Sequence, residues 1–91
     1  MMLESAMLEF DELVRVRVQG LLLGPSGRGR DLRERAGLSV RELATLLGVD
    51  GATLCRWERG QTRPRGPGAS RWVAACQLIE HELASQEVIT P

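Results

Sequence analysis

Two short segments with strong helix-boundary signals, between Ser39 and Gly60, constrain the fold of this chain more than any other feature. Ser39 and Glu42 have the spacing of a capping box, in which each side chain accepts a hydrogen bond from the backbone amide of the other residue. Gly48 is placed to end the first helix, and Asp50 is placed to cap a second helix that ends at Gly60. The sequence therefore predicts two short helices joined by a tight turn.

The apolar residues of these two helices indicate which faces meet. Leu43, Ala44 and Leu47 lie on one face of the first helix. Leu54 and Trp57 lie on one face of the second helix. Burial of these faces leaves the outer face of the second helix free to enter a DNA major groove about 12 Å wide. Two short helices in this arrangement form a helix-turn-helix signature.

Residues 8–23 are rich in apolar side chains, but their periodicity is ambiguous. Val14, Val16 and Val18 alternate with polar residues as they would in a strand. Phe10, Val14 and Val18 also fall on one face of a helix. We favour the helix because the sequence shows no second strand pattern to pair with, and a lone strand would leave its backbone hydrogen bonds unsatisfied.

Further helices are predicted on either side of the signature. Residues 28–36 form a short helix that ends at Gly37. Residues 61–68 are rich in Gly and Pro, which predicts an irregular loop. A helix from about Ala69 to Ala84 follows. The predicted fold class is therefore all-α, a compact five-helix bundle.

A chain of 91 residues is short enough for a single folded domain. Residues 1–24 form an N-terminal segment that we predict to be helical and to be a candidate dimer contact. Residues 25–85 form the helix-turn-helix domain, and residues 86–91 form a loose tail.

Charge is distributed unevenly along a chain whose net charge is zero. All 12 basic residues are Arg, and 12 acidic residues balance them. Residues 28–71 hold ten Arg and five acidic residues, a net of +5, whereas residues 1–12 hold four acidic residues and no basic one. A local positive face of this kind suits a polyanion even in a neutral protein. The alternative is a solvated surface of mixed charge.

The residue types that catalysis or metal binding needs are scarce. The two Cys, Cys55 and Cys76, and the single His, His81, are too few and too far apart for a structural zinc site. The glycine-rich residues 24–29 lack the Lys and Ser/Thr of a P-loop and are interpreted as a linker. No feature argues for an enzyme, and we expect neither a cofactor nor a metal.

We expect no membrane association. No apolar run approaches the roughly 20 residues that a membrane span needs. The N-terminus lacks the basic region of a signal peptide. These features predict a cytoplasmic protein of a bacterial or phage-infected cell.

Residues 32–60 resemble the DNA-binding domain of phage Cro and repressor proteins, the XRE-type helix-turn-helix family. The resemblance rests on the capping box, on Ala44 and Gly48, and on the run from Trp57 to Gly60, all at the spacing of the family. It extends over roughly residues 28–83 and implies the phage-repressor-like form of the five-helix bundle.

The resemblance implies that the helix from Asp50 to Arg59 is a recognition helix. Gly51 and Ala52 stand where the family often has longer polar residues, so we expect few direct base contacts and more dependence on phosphate contacts and DNA shape. Ala52 can still contact a thymine methyl group, and Arg56 can bond guanine O6 and N7. The implied base-reading residues are Gly51, Ala52, Thr53 and Arg56.

The resemblance also implies phosphate contacts and one structural ion pair. Val40 stands where the family commonly has a Gln that contacts the DNA backbone, and the neighbouring Arg41 can replace that contact. Arg33 and Glu58 fall where the family has an ion pair between its first helix and the end of the recognition helix. The DNA-phosphate candidates are Arg41, Arg59, Arg63, Arg65, Arg28 and Arg30.

These observations predict a regulator of transcription that binds double-stranded DNA in a sequence-specific manner, of the phage or prophage repressor type. It would act as a homodimer on a partly palindromic operator, with two recognition helices about 34 Å apart. Residues 8–23 or the helix at 69–83 are the candidates for the dimer contact. The alternative is an antitoxin or adaptor that uses the same fold to bind a protein partner, with DNA binding secondary.

Overall fold

Five α-helices form the fold in a computed structural model that describes residues 2–89 and the side chains of residues 10–86. The predicted all-α, five-helix fold is confirmed over these residues, and the ambiguous residues 8–23 are helical. The helices are α1 (Met2–Leu23), α2 (Arg28–Arg35), α3 (Val40–Leu47), α4 (Gly51–Glu58) and α5 (Gly66–Ile89).

The predicted boundary signals of α3 and α4 form the expected contacts. The Ser39 hydroxyl accepts from the Glu42 amide at 3.0 Å, and the Glu42 carboxylate accepts from the Ser39 amide at 3.1 Å. The Asp50 carboxylate accepts from the Thr53 amide at 2.8 Å. Gly48 ends α3 in the left-handed conformation, with a φ of 72°. Local hydrogen bonds therefore set the limits of both helices.

The core lies between α5 and the three short helices α2, α3 and α4. Trp72 of α5 and Trp57 of α4 pack with their ring centroids 5.5 Å apart. A Cβ at Gly29 of α2 would lie 2.6 Å from the Trp72 ring, so only glycine fits at that approach. The largest fully buried aliphatic side chains are Leu32, Leu43 and Leu54. A domain this small depends on such close packing.

The C-terminal end of α1 lies against the end of α4 and the loop that follows it. Gly20 and Gly24 are buried there, and Leu23 joins the hydrophobic core. A Cβ at Gly24 would lie 2.4 Å from the carbonyl oxygen of Trp57, and a Cβ at Gly20 would lie 3.2 Å from Pro64. Gly20 in α1 and Gly24 directly after it therefore allow the close approach of α1 to the helix-turn-helix unit.

The start of α5 differs from its prediction. The helix begins at Gly66 rather than at about Ala69, so the irregular loop is shorter than predicted. Pro67 lies in the first turn, where its missing amide hydrogen breaks no helical hydrogen bond. The prediction was wrong because it treated this proline as a helix breaker.

The predicted loose tail is also wrong over most of its length. α5 continues to Ile89, so residues 86–89 are helical. No Gly or Pro occurs between Ala84 and Ile89 to stop the helix. Residues 90 and 91 of that tail lie outside the described part of the chain.

Candidate nucleic-acid interface

α4 has one face in the core and one face on the surface. Leu54 is fully buried and Trp57 is 4% exposed. Ala52 and Arg56, which point the other way, are exposed. Arg56 forms no ion pair with any residue that the structure describes. Its guanidinium is therefore available to a ligand.

The first turn of α4 is less open than its middle. Gly51 and Thr53 are half-buried, and the Thr53 amide is already bound by the N-cap carboxylate. A Cβ at Gly51 would lie 3.7 Å from Val40, so this turn lies next to the start of α3. Of the four base-reading candidates, the two most accessible are Ala52 and Arg56.

A buried ion pair joins α2 to the C-terminal end of α4. Arg33 Nε donates to Glu58 Oε2 at 2.7 Å, and Arg33 Nη2 donates to Glu58 Oε1 at 3.1 Å. The third nitrogen, Nη1, donates to the Leu38 carbonyl at 2.9 Å. The hydrogen bonds to Glu58 raise the pKa of Arg33 despite its burial. The Glu58 carboxylate is thus directed into the protein and away from the open face of α4.

α5 supports the turn between α3 and α4. Arg71 Nη1 donates to the Leu47 carbonyl at 3.1 Å and so satisfies an oxygen at the end of α3. A Cβ at Gly68 would lie 2.4 Å from Val49 in the turn. The sequence reasoning missed both contacts, because they join residues far apart in the chain and no local pattern signals them.

All six phosphate candidates are exposed. Four of them are Arg41 on α3, Arg59 directly after α4, and Arg63 and Arg65 in the following loop. None of the four forms an ion pair with a described residue. Arg63 and Arg65 line one surface cavity of about 320 Å³, and Arg17 of α1 lines it with them. The structure therefore brings two candidates together and adds an arginine that the sequence reasoning did not select.

The other two phosphate candidates are bound to carboxylates. Arg28 Nη2 lies 2.8 Å from Glu80 Oε2, and Arg30 Nε lies 2.7 Å from Glu34 Oε1. These hydrogen bonds raise the pKa of both arginines and lower the pKa of Glu34. Neither arginine lines the cavity described above, so the structure does not bring them into that cluster.

The described side chains include no group of three His, Cys, Asp or Glu residues that could hold a metal ion. Burial raises the pKa of the Cys76 thiol to about 12, so the thiol is protonated and unreactive near neutral pH. None of the helices over residues 2–89 combines the length and apolar character that crossing a bilayer requires.

Comparison with known proteins identifies relatives of this region. A protein family described as a helix-turn-helix domain matches residues 30–86. A candidate HTH-type transcriptional regulatory protein of Thermococcus kodakarensis is 50% identical over 46 residues, which cover 50% of this chain and 13% of that protein. No match was found among solved structures.

Proposed function

This chain belongs to the helix-turn-helix domain family, and from that premise we propose that it is a sequence-specific DNA-binding regulator of transcription, of the repressor type. The open face of α4 carries this proposal. Ala52 and Arg56 are exposed there, while Leu54 and the Arg33–Glu58 pair hold the opposite side of the helix. A helix held in this way presents a fixed surface to a major groove.

Base recognition in this proposal depends on few residues. Arg56 donates two hydrogen bonds to guanine O6 and N7, and Ala52 contacts a thymine methyl group. Gly51 has no side chain to offer, and Thr53 is half-buried. Specificity therefore depends strongly on one bidentate contact and on DNA shape.

Phosphate contacts position the helix on the duplex. Four exposed arginines flank α4 in the chain: Arg41 before it, Arg59 directly after it, and Arg63 and Arg65 in the following loop. They supply positive charge that reads no base but fixes orientation. Arg28 and Arg30 have a smaller part, because each would first have to leave a carboxylate.

The outer face of α1 supports a homodimer. Phe10, Val14 and Val18 follow one another at four-residue spacing, and all three are exposed. They lie away from the side of α1 that buries Gly20 and Leu23. A contiguous apolar stripe on the surface is typical of a protein contact.

Charges beside this stripe favour a second copy of the chain as the partner. Asp11 and Arg15 are four residues apart and lie on the same side of the stripe. In an antiparallel pair about a two-fold axis near Leu13, Asp11 of each copy faces Arg15 of the other, so opposite charges meet twice. We therefore propose a dimer through α1 that binds a partly palindromic operator, with its two α4 helices about 34 Å apart.

Selection of bound duplexes from a random DNA library, followed by two arginine variants, tests the proposal. Arg56→Ala is expected to weaken binding to the selected site by about 1–3 kcal/mol and to remove preference at one base pair. Arg65→Ala is expected to weaken selected and random duplexes alike and to lower the salt dependence of log K by about one. Fluorescence anisotropy over a salt series measures both effects.

Two results would contradict the proposal. Equal losses on selected and random DNA for both variants would show that Arg56 reads no base. If the wild-type chain bound no duplex at low salt but copurified with one protein, the antitoxin or adaptor alternative would replace the regulator. A selected site without two-fold symmetry would contradict only the proposed dimer and would leave the DNA-binding proposal in place.

A further inference from the structure

We propose that Arg17 of α1 completes a three-arginine pocket, with Arg63 and Arg65, that binds a phosphate group of the DNA backbone. The three arginines line one surface cavity of about 320 Å³, whose other lining residues are Leu21 and Pro64. Arg17 lies outside residues 30–86, which match the helix-turn-helix family. The pocket therefore adds an N-terminal helix to the nucleic-acid interface, and this inference rests on the proposed function.

Close packing holds the two sides of the pocket together. The backbone of α1 approaches the loop so closely that a Cβ at Gly20 would lie 3.2 Å from the Pro64 ring. Arg17 and Leu21 are four residues apart, so they lie on the same face of α1. Pro64 lies between Arg63 and Arg65 in the chain. The contact at Gly20 therefore places Arg17 beside both loop arginines.

The electrostatics of the pocket favour an anion. Among the described residues, none that lines the cavity is acidic, and none forms an ion pair with any of the three arginines. Three arginine side chains along one cavity give it a positive potential that attracts an anion. Guanidinium groups bind phosphate oxygens through paired, charge-assisted hydrogen bonds. Phosphate is therefore the chemical class that fits the pocket.

The residues around the pocket favour the DNA backbone as the source of the phosphate group. Arg63 follows the end of α4 by only five residues, so a duplex that receives α4 passes close to the loop. Leu21 and Pro64 give the cavity an apolar part that suits a deoxyribose ring between phosphates. A free polyphosphate shares the same oxygen chemistry and is distinguished by experiment.

The test compares three single-residue variants of the full chain. Arg17→Ala removes the proposed contact. Arg17→Lys retains the charge, and Arg35→Ala removes one positive charge from α2 at a residue that does not line the pocket. Each variant is first checked by circular dichroism. Binding to a short duplex of random sequence is then measured by fluorescence anisotropy over a salt series, and inorganic pyrophosphate is titrated in parallel.

Arg17→Ala is expected to bind the duplex roughly five- to tenfold more weakly near 0.1 M salt and to lower the salt dependence of log K by about one. Arg17→Lys should recover most of the salt dependence, and Arg35→Ala should retain the wild-type value. Pyrophosphate should bind the wild-type chain weakly, because it contacts only the pocket.

Other results would overturn the inference and separate its failure from that of the proposed function. If Arg17→Ala matched Arg35→Ala while Arg65→Ala lost duplex binding, the pocket would be wrong and the regulator would stand. If only pyrophosphate binding depended on Arg17, the pocket would serve a free polyphosphate instead of DNA. Absence of duplex binding by the wild-type chain would overturn both proposals.

Discussion

α1 and α4 each have one buried face and one open face, but the two open faces differ in chemistry. The open face of α4 carries Ala52 and Arg56, which are small and cationic, whereas that of α1 carries Phe10, Val14 and Val18. Small and cationic side chains suit base edges and phosphates. Apolar side chains suit a protein surface. Under the proposed function, α4 contacts DNA bases, whereas the apolar stripe of α1 contacts a partner.

The two helices also differ in how they are held. α4 has a capping carboxylate, Asp50, at its start and the buried Arg33–Glu58 pair at its end. α1 packs against α5 and α2, and close approaches at Gly20 and at Gly24, directly after the helix, hold its end. α4 is therefore fixed by directional hydrogen bonds, which tolerate little displacement.

The largest expected effect is on the inner side of α4. Glu58→Ala leaves the Arg33 guanidinium buried without its carboxylate, which should lower the free energy of unfolding by about 3–5 kcal/mol. Urea unfolding followed by circular dichroism measures the loss. A loss of this size is a large fraction of the total free energy of unfolding of a small domain, which is typically about 5–15 kcal/mol.

Two control variants sharpen this prediction. Glu34→Ala removes an exposed carboxylate that pairs with Arg30 at 2.7 Å and lies 3.9 Å from Arg33. It leaves both hydrogen bonds of Arg33 to Glu58 in place and should barely change the unfolding midpoint. The double variant Arg33→Met/Glu58→Leu replaces the buried pair with apolar groups and should recover much of the loss. If Glu58→Ala were as mild as Glu34→Ala, the buried pair would not be what holds α4.

A smaller effect is expected on the outer side of α1. Val14→Glu places a charge at the centre of the proposed dimer contact and should shift the chain from dimer to monomer in sedimentation velocity. Leu78→Glu is the matched control, because Leu78 is an exposed apolar residue of α5, the other candidate for the contact. Monomers from Leu78→Glu and dimers from Val14→Glu would move the contact to α5.

The smallest expected effect comes from the helix caps in acid. Hydrogen bonds from the Thr53 hydroxyl and amide lower the pKa of Asp50, and the Ser39 backbone amide and hydroxyl lower the pKa of Glu42. A carboxylate whose pKa is lowered by folding stabilises the protein above its ordinary pKa. That contribution is lost as the pH falls through the lowered value, here below about pH 4.

Asp50→Asn tests this pH dependence. Asparagine also caps helices but does not titrate in this range. The melting temperature of the variant should therefore fall less between about pH 5 and pH 3 than that of the wild-type chain. Parallel curves for the two proteins would show that the Asp50 carboxylate makes no acid-dependent contribution.

The helix boundaries around the turn could be predicted because their causes are local. The contacts made by Ser39, Gly48 and Asp50 all act within a few residues of the chain, so residue type and spacing reveal them. For α1, the sequence pattern favours a helix over a strand without deciding between them, because its alternating valines also fit a strand. Pro67 misled the prediction, since a proline can start a helix as well as end one.

The candidate site was predictable only in part. The outward position of Arg56 follows from helical periodicity once Leu54 and Trp57 are assigned to the core. No local sequence pattern predicts that Arg28 pairs with Glu80, because the two residues lie 52 positions apart. No sequence pattern marks Arg17 as a site residue, because the two arginines that share its pocket belong to a loop more than 40 residues later in the chain.

By itself, the sequence determined where α2, α3 and α4 lie and which side of α4 faces outward, because caps and periodicity act over one or two helical turns. Only the tertiary structure decided which arginines are free and which are bound to carboxylates, and which of them share a pocket. Those outcomes depend on distances between helices. The helices are positioned by the packing of Trp57 and Trp72 and by the close approaches at Gly20, Gly29 and Gly68.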